Sequence, residues 1–375
     1  MNIEQQALLY LVRLGIGNDS ESSLDLTGLD WKTLVDESFF QGMPAIAVDG
    51  LQNLYESNPS LRLEIDRPEL ESLKYEWFGS CFEAENSNVR QRKVLGAMAD
   101  VWAEKGIRTM LMKGQANSLY YPNPLHRATG DIDIFLSDYD LGNAVAAEAG
   151  ANVDTGWYKH SQIHWKGEMF ENHQYVVATR NGKRGKKLDR TLRGLLEGAE
   201  YEYLPDSKVL LPPVMFNALF LTYHSLAHFI SEGIRLKQIL DWAMFLQKEQ
   251  TRIDWPRFYA LCDEFHFRRW VDAMNDIAVH QFGVVVTVPG VVCDSSYAGK
   301  ILHSALNDKD FVFSSGKGGW ANRLHLVTNM FKYSWKYHQI YQESILKQLW
   351  YYASGFVFKT EKVNYDPRRK LEHIH

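Results

Sequence analysis

The stretch Gly130-Asp131-Ile132-Asp133-Ile134-Phe135-Leu136 restricts the fold more than any other. Successive side chains of a strand point to opposite faces. The run therefore predicts a strand over Ile132–Leu136, with Ile132 and Ile134 entering a core. Asp131 and Asp133 then share the opposite face. Two carboxylates a few ångströms apart repel each other, and a divalent cation between them relieves the repulsion. Gly130 permits a tight turn or the close approach of a ligand where the strand begins. A bare Asp-x-Asp is also found on strands that merely face water, so its surroundings decide.

Upstream, Ile107–Met112 reads as a short apolar strand between Gly106 and Gly114. A helix is expected from Gln115 to Tyr121, then a loop marked by Pro122 and Pro124. Backbone N–H groups at a helix N-terminus favour phosphate, and Lys113 adds a positive charge there. The order is strand, glycine turn, helix, loop, then Asp-x-Asp on a strand. Nucleotidyl transfer asks for such an order: amides and metal to hold a triphosphate, and carboxylates to place one or two Mg²⁺ ions at its α-phosphorus. Phosphatases of the haloacid-dehalogenase type carry Asp-x-Asp at the end of a long hydrophobic strand; here the pair stands at a strand's start.

Three regions are expected. Residues 1–105 read as helical: apolar faces at Ala7, Leu8, Leu11 and Leu14, a cap at Asp30, helix openings at Pro44 and Pro68, and a proline-free stretch from Glu69 to a C-cap at Gly106. Residues 106–205 form an α/β core, with Asp138 capping a helix to Ala149 and strands near Gln162–Trp165 and Gln174–Thr179. Residues 206–375 are helical again, over Pro213–Phe229, Leu236–Gln247, Trp255–Phe265 and the aromatic-rich Trp320–Phe358. The fold class is thus α/β (α+β), a mixed sheet flanked by helical regions.

Bulk composition bounds the setting. With 375 residues, 45% hydrophobic and 23% charged, the chain can build a sizeable core. A net charge of −5 argues against a nucleic-acid coat or a polybasic membrane binder. Cys81, Cys262 and Cys293 are odd in number and widely spaced, which fits neither a disulfide framework nor a zinc motif. No basic leader precedes the first apolar stretch, and no apolar run has membrane-spanning length, so cytoplasmic residence is expected.

The run Leu111-Met112-Lys113-Gly114-Gln115-Ala116, with Leu119-Tyr120-Tyr121-Pro122, Arg127 and Gly130-Asp131-Ile132-Asp133-Ile134, resembles the bacterial uncharacterised nucleotidyltransferase family of the polymerase-beta-type superfamily. The resemblance extends from the N-terminal helices to about residue 250. It implies a mixed sheet, Mg²⁺ (or Mn²⁺), a nucleoside triphosphate donor, and metal ligands at Asp131 and Asp133. It departs at the glycine turn, where Gly114-Gln115 stands in place of the common Gly-Ser.

Superfamily sites use a third acid on a neighbouring strand. Glu171, Glu168 and Asp154 are candidates, and Glu171 is preferred because Glu171-Asn172-His173 resembles the family's acid-x-His step. Lys113, Gly114, Gln115, Arg127 and Gly130 are expected to contact the nucleotide, Arg127 through its bidentate fork. His164 or His173 can accept a proton from the attacking hydroxyl, or serve in packing. His224 and His228, at i and i+4 on one helix face, and Asp241 are expected in a pocket wall; zinc binding and plain packing are the alternatives for the two histidines. Arg180–Arg190 is a basic run with turn signals, expected as a hairpin tip or loop, either solvated or clamping an anionic ligand. The acceptor is a hydroxyl on a small molecule, a peptide or RNA. A nucleotide-sensing or protein-interaction module with little catalysis is the alternative function.

Overall fold

The computed structural model describes residues 1–18, 28–57, 67–178, 182–231, 233–308 and 327–357. Most of the loop expected at residues 18–28, the end of the strand expected at Thr179, Arg180 and Asn181, and residues 320–326 and 358 of the aromatic stretch lie outside them.

Helix α1 (Ile3–Gly15) opens on a capping box between Asn2 and Gln5. Asp30 caps α2 (Trp31–Phe40), accepting from the N–H groups of Lys32 and Thr33. Helix α3 (Pro44–Ser57) follows. After a 3₁₀ turn at Pro68–Leu70, α4 (Glu71–Glu104) runs for 34 residues. It stops at Gly106, whose φ of +74° suits glycine, while Ile107 N–H reaches back to the Trp102 carbonyl at 3.0 Å.

Six strands form one mixed sheet in the order β3-β4-β5-β2-β1-β6. They are β1 (Thr109–Leu111), β2 (Ile132–Leu136), β3 (Asn152–Asp154), β4 (His160–Trp165), β5 (Glu168–His173) and β6 (Val209–Leu210). The short α5 (Gln115–Ser118) joins β1 to β2, and α6 (Tyr139–Glu148) follows β2, capped by Asp138 as its sequence predicts. Strand β2 pairs antiparallel with β1 and parallel with β5.

The alternation read in β2 holds. Ile132, Ile134 and Leu136 join Phe170, Ile163, Trp102 and Val145 in a core between the sheet, α4 and α6. After the sheet strands come α7 (Gly182–Gly194), α8 (Val214–Ser231), α9 (Leu236–Glu249), α10 (Trp255–Glu264), α11 (Arg268–His280), α12 (Ser295–Asn307) and α13 (Ile345–Val357), and Met110 and Leu210 of the sheet pack into the apolar cluster of the later helices. One apolar cluster there holds residues of α1–α3 together with residues of α8–α12. No helix among the described residues is long and apolar enough to cross a membrane.

Two local expectations are corrected. The strand placed at Gln174–Thr179 lies earlier, at Glu168–His173; residues 174–177 are bends, with Val176 and Val177 buried. The basic run is a helix from Gly182 rather than a hairpin tip. Gly185, Leu188, Asp189 and Leu192 recur on its buried face, and the Asp189 carboxylate accepts from Val176 N–H at 2.7 Å.

Candidate active site

The centre of the site is set by strand register. In the parallel pair, Asp133 of β2 stands opposite Glu171 of β5. Strand β5 is joined to β4 by the two-residue turn Lys166-Gly167, both with positive φ, as a tight hairpin requires. Counting outward from that turn pairs His160 with His173. Four side chains of three adjacent strands therefore gather on one sheet face: Asp133, Glu171, His173 and His160.

Asp133 is 2% exposed. It accepts from Lys113 Nζ at 3.0 Å and pairs with His173 Nε2 at 2.9 Å. Burial pushes its carboxyl up, but the Lys113 ammonium and His173 outweigh burial and hold it well below the usual carboxylate range. Glu171 lies 3.4 Å from His160 Nε2 and 3.6 Å from His173 Nε2. Burial raises its carboxyl too; the hydrogen bond from His173 reverses this, so it also stays ionised. Asp131, one residue before β2, is exposed, and its charge reaches Lys113. The three carboxylates offer the hard oxygen donors that Mg²⁺ or Mn²⁺ takes.

Lys113 links this cluster to α8. Its Nζ is 3.3 Å from His224 Nε2, and His224 Nε2 is 3.1 Å from His228 Nε2. Burial, then the Lys113 charge, lowers the His224 pKa far below the ordinary histidine value, so the ring is neutral and can accept from the ammonium. Gly114 connects β1 to α5 with φ +65° and ψ −112°, a conformation open to glycine.

The segment before β2 is tied to α4. Asn88 donates to the carbonyls of Leu125 (2.7 Å) and Arg127 (3.0 Å), and Gln91 donates to that of Gly130 (2.7 Å). These bonds explain two buried amides in the middle of a long helix, and they fix where Asp131 emerges.

A family model described as uncharacterised nucleotidyltransferase matches residues 27–283, more than half of the chain. This chain belongs to that family. No curated protein and no solved structure matches it. The mixed sheet with flanking helices agrees with a nucleotidyltransferase of the α+β class.

Not every residue singled out in this nucleotidyltransferase sequence reaches the carboxylates. Gln115 is buried, and its amide donates to Asn88 at 2.6 Å while its oxygen accepts from Arg92 at 3.3 Å. Arg127 is buried as well; its fork donates to both Asp241 oxygens at 2.7 Å, and Tyr121 and Asn117 complete the Asp241 shell. The Arg127 and Gln115 side chains thus face protein partners. Asp241 holds the loop before β2 to α9. His164 is exposed at the far end of β4. Of the other candidate acids, Glu168 pairs with Arg90 and Asp154 caps the turn at Gly156.

Two residues of the cluster escaped the sequence reading. His160 sits in a segment without apolar alternation, and only the weak Lys166-Gly167 turn signal could have registered it against His173. Lys159 precedes it; burial and the Lys113 charge lower its pKa, while Glu171 and Asp133 pull the other way.

Proposed function

We propose that this chain is a divalent-cation-dependent nucleotidyltransferase. It transfers a nucleoside monophosphate from a nucleoside triphosphate to a hydroxyl acceptor and releases pyrophosphate. The observation that carries this reading is the β2–β5 register, which sets Asp133 beside Glu171, with Asp131 at the entry of the same strand. Asp131, Asp133 and Glu171 would hold Mg²⁺ (or Mn²⁺), which when bound neutralises the phosphate charge that builds up as the leaving group departs.

The chain's own groups do the rest. Lys113, already poised between Asp133 and His224, carries its charge to the end of β1, beside the backbone N–H groups of the Gly114 turn. Lys159 adds a second cation. The acceptor hydroxyl releases its proton to solvent and forms its bond to the α-phosphorus as the bond to the bridging oxygen breaks and pyrophosphate leaves; Glu171 orients that hydroxyl or completes the metal site. The helices on this face of the sheet supply the acceptor side.

Pyrophosphate release from each common nucleoside triphosphate, with and without Mg²⁺, tests the reading. Asp131 is exposed, so Asp131→Asn keeps the fold and should lose about a hundredfold or more in rate, since a metal clamp is worth several kcal/mol and each ~1.4 kcal/mol is tenfold. Asp131→Asn combined with Asp133→Asn should abolish release. Unchanged turnover in the double variant, or no release by the native protein with any nucleotide, overturns the assignment.

A further inference from the structure

We infer that His160, Glu171 and His173 form a nitrogen-containing site for a borderline divalent cation of the Zn²⁺ or Co²⁺ type, beside the all-carboxylate position and sharing Glu171 with it. One ligand atom from each of these residues lies within 4.8 Å of the others. Two of the separations, 3.4 and 3.6 Å to the Glu171 oxygens, are close to the ~3.3–3.5 Å between ligands that bonds of about 2.0–2.2 Å impose in a tetrahedral site. Two histidines and one glutamate leave a fourth position open, as catalytic zinc sites do.

The surroundings of the two rings fit this use. His173 Nδ1 lies 3.4 Å from the Tyr175 carbonyl. A carbonyl only accepts, so when a cation takes the place of the proton that Nε2 now shares with Asp133, the ring holds its remaining proton on Nδ1 against this carbonyl; a second partner of this kind orients metal-bound histidines. The His160 ring stacks on Trp157 at 6.0 Å, and its Nδ1 is buried with no hydrogen-bond partner. A polar ring buried for packing alone would cost less as an apolar one. Binding a cation through Nε2 gives the imidazole at this place a purpose. Imidazole donors favour the later first-row ions over Mg²⁺, so the site selects against the ion that the carboxylates favour.

The inference concerns metal binding without nucleotide, so it is separable from the proposed transfer reaction. The full chain, freed of metal, is titrated with CoCl₂ and followed by visible d–d absorption. One equivalent should bind with the absorption of a nitrogen-ligated, low-coordinate ion and persist in excess MgCl₂. His160→Gln should weaken binding by about tenfold or more; His164→Ala, on the exposed end of the same strand, should bind as the native chain does. Native protein that gains no such band, or that yields its Co²⁺ to Mg²⁺, overturns the site even if His160→Gln fails to fold. A His160→Gln variant that folds and binds Co²⁺ as tightly as the native chain overturns it too. A native chain that shows no Co²⁺ site yet releases pyrophosphate with Mg²⁺ would remove this inference and leave the transferase reading standing.

Discussion

Arg127 shows how a residue's type can suggest one partner and its position supply another. A guanidinium three residues before Gly130 suits a phosphate, yet its fork closes on Asp241 inside the protein. Burial alone would raise the Asp241 carboxyl; Arg127, with the Tyr121 hydroxyl, holds it below the usual range. Removing one member of a buried pair leaves the other charge without compensation, at about 3–5 kcal/mol. Arg127→Met should therefore lower unfolding stability by that amount in urea titrations, and Arg127→Met with Asp241→Leu should recover a large part of the loss. A single variant within 1 kcal/mol of the native chain would show that water replaces the guanidinium, contrary to the burial described.

Among the elements, those with strong apolar periodicity matched their sequence signals: α1 carries the predicted apolar face, α2 and α6 begin at the predicted caps, α4 ends at Gly106, and β2 is the expected strand. Strand β5 did not, because both of its faces carry polar groups. Glu171 and His173 join the cluster, while Asn172 on the other face bonds to Asn143. Hydropathy pointed instead to Tyr175–Ala178, whose valines pack as a bend. Helix α7 was hidden by its turn-like glycines; its helical period is visible only in Leu188 and Leu192. Helices α1 and α3 hold a further device. A Cβ on Gly50 would stand 1.8 Å from the Leu11 carbonyl oxygen, and one on Gly15 would stand 2.1 Å from that of Ile46. The two backbones touch, so neither can yield as a flexible side chain would. Gly50→Ala should cost about 1–3 kcal/mol or more, measured by thermal unfolding, and a variant as stable as the native chain would contradict that close crossing.

Across the whole molecule, residues of the sheet enter two apolar clusters, and each cluster gathers residues far apart in sequence. Lys237 marks where α9 meets the loop before β2, with its ammonium 3.4 Å from the Ala128 carbonyl. Burial, then the neighbouring Arg127 charge, brings its pKa down to about 8, against an ordinary value near 10.5. Between these values the unfolded chain holds a proton that the folded chain has released. Stability therefore rises as pH goes from about 8 toward 10.5, and the cost of the buried charge is fully present below pH 8. Lys336, also brought to about 8 by burial, acts in the same direction. Lys237→Met should reduce the gain in melting temperature between pH 8 and 10; an unchanged slope would assign it to other groups.

By itself the sequence determined the elements whose pattern is local: the capped helices, the glycine stop at 106, and a β2 that buries isoleucines on one face and carries Asp133 on the other, with Asp131 just before it. It also placed Glu171 among three possible third acids. Local signals suffice there because caps, glycine conformations and side-chain alternation act within a few residues. Tertiary structure alone decided which acid faces Asp133, that His160 meets His173, that Lys113 bridges to His224, and that Arg127 pairs with Asp241. Those outcomes depend on strand register and on helix packing across more than a hundred residues. Charged and amide side chains there choose the partners that burial leaves within reach, and no short-range pattern encodes that choice.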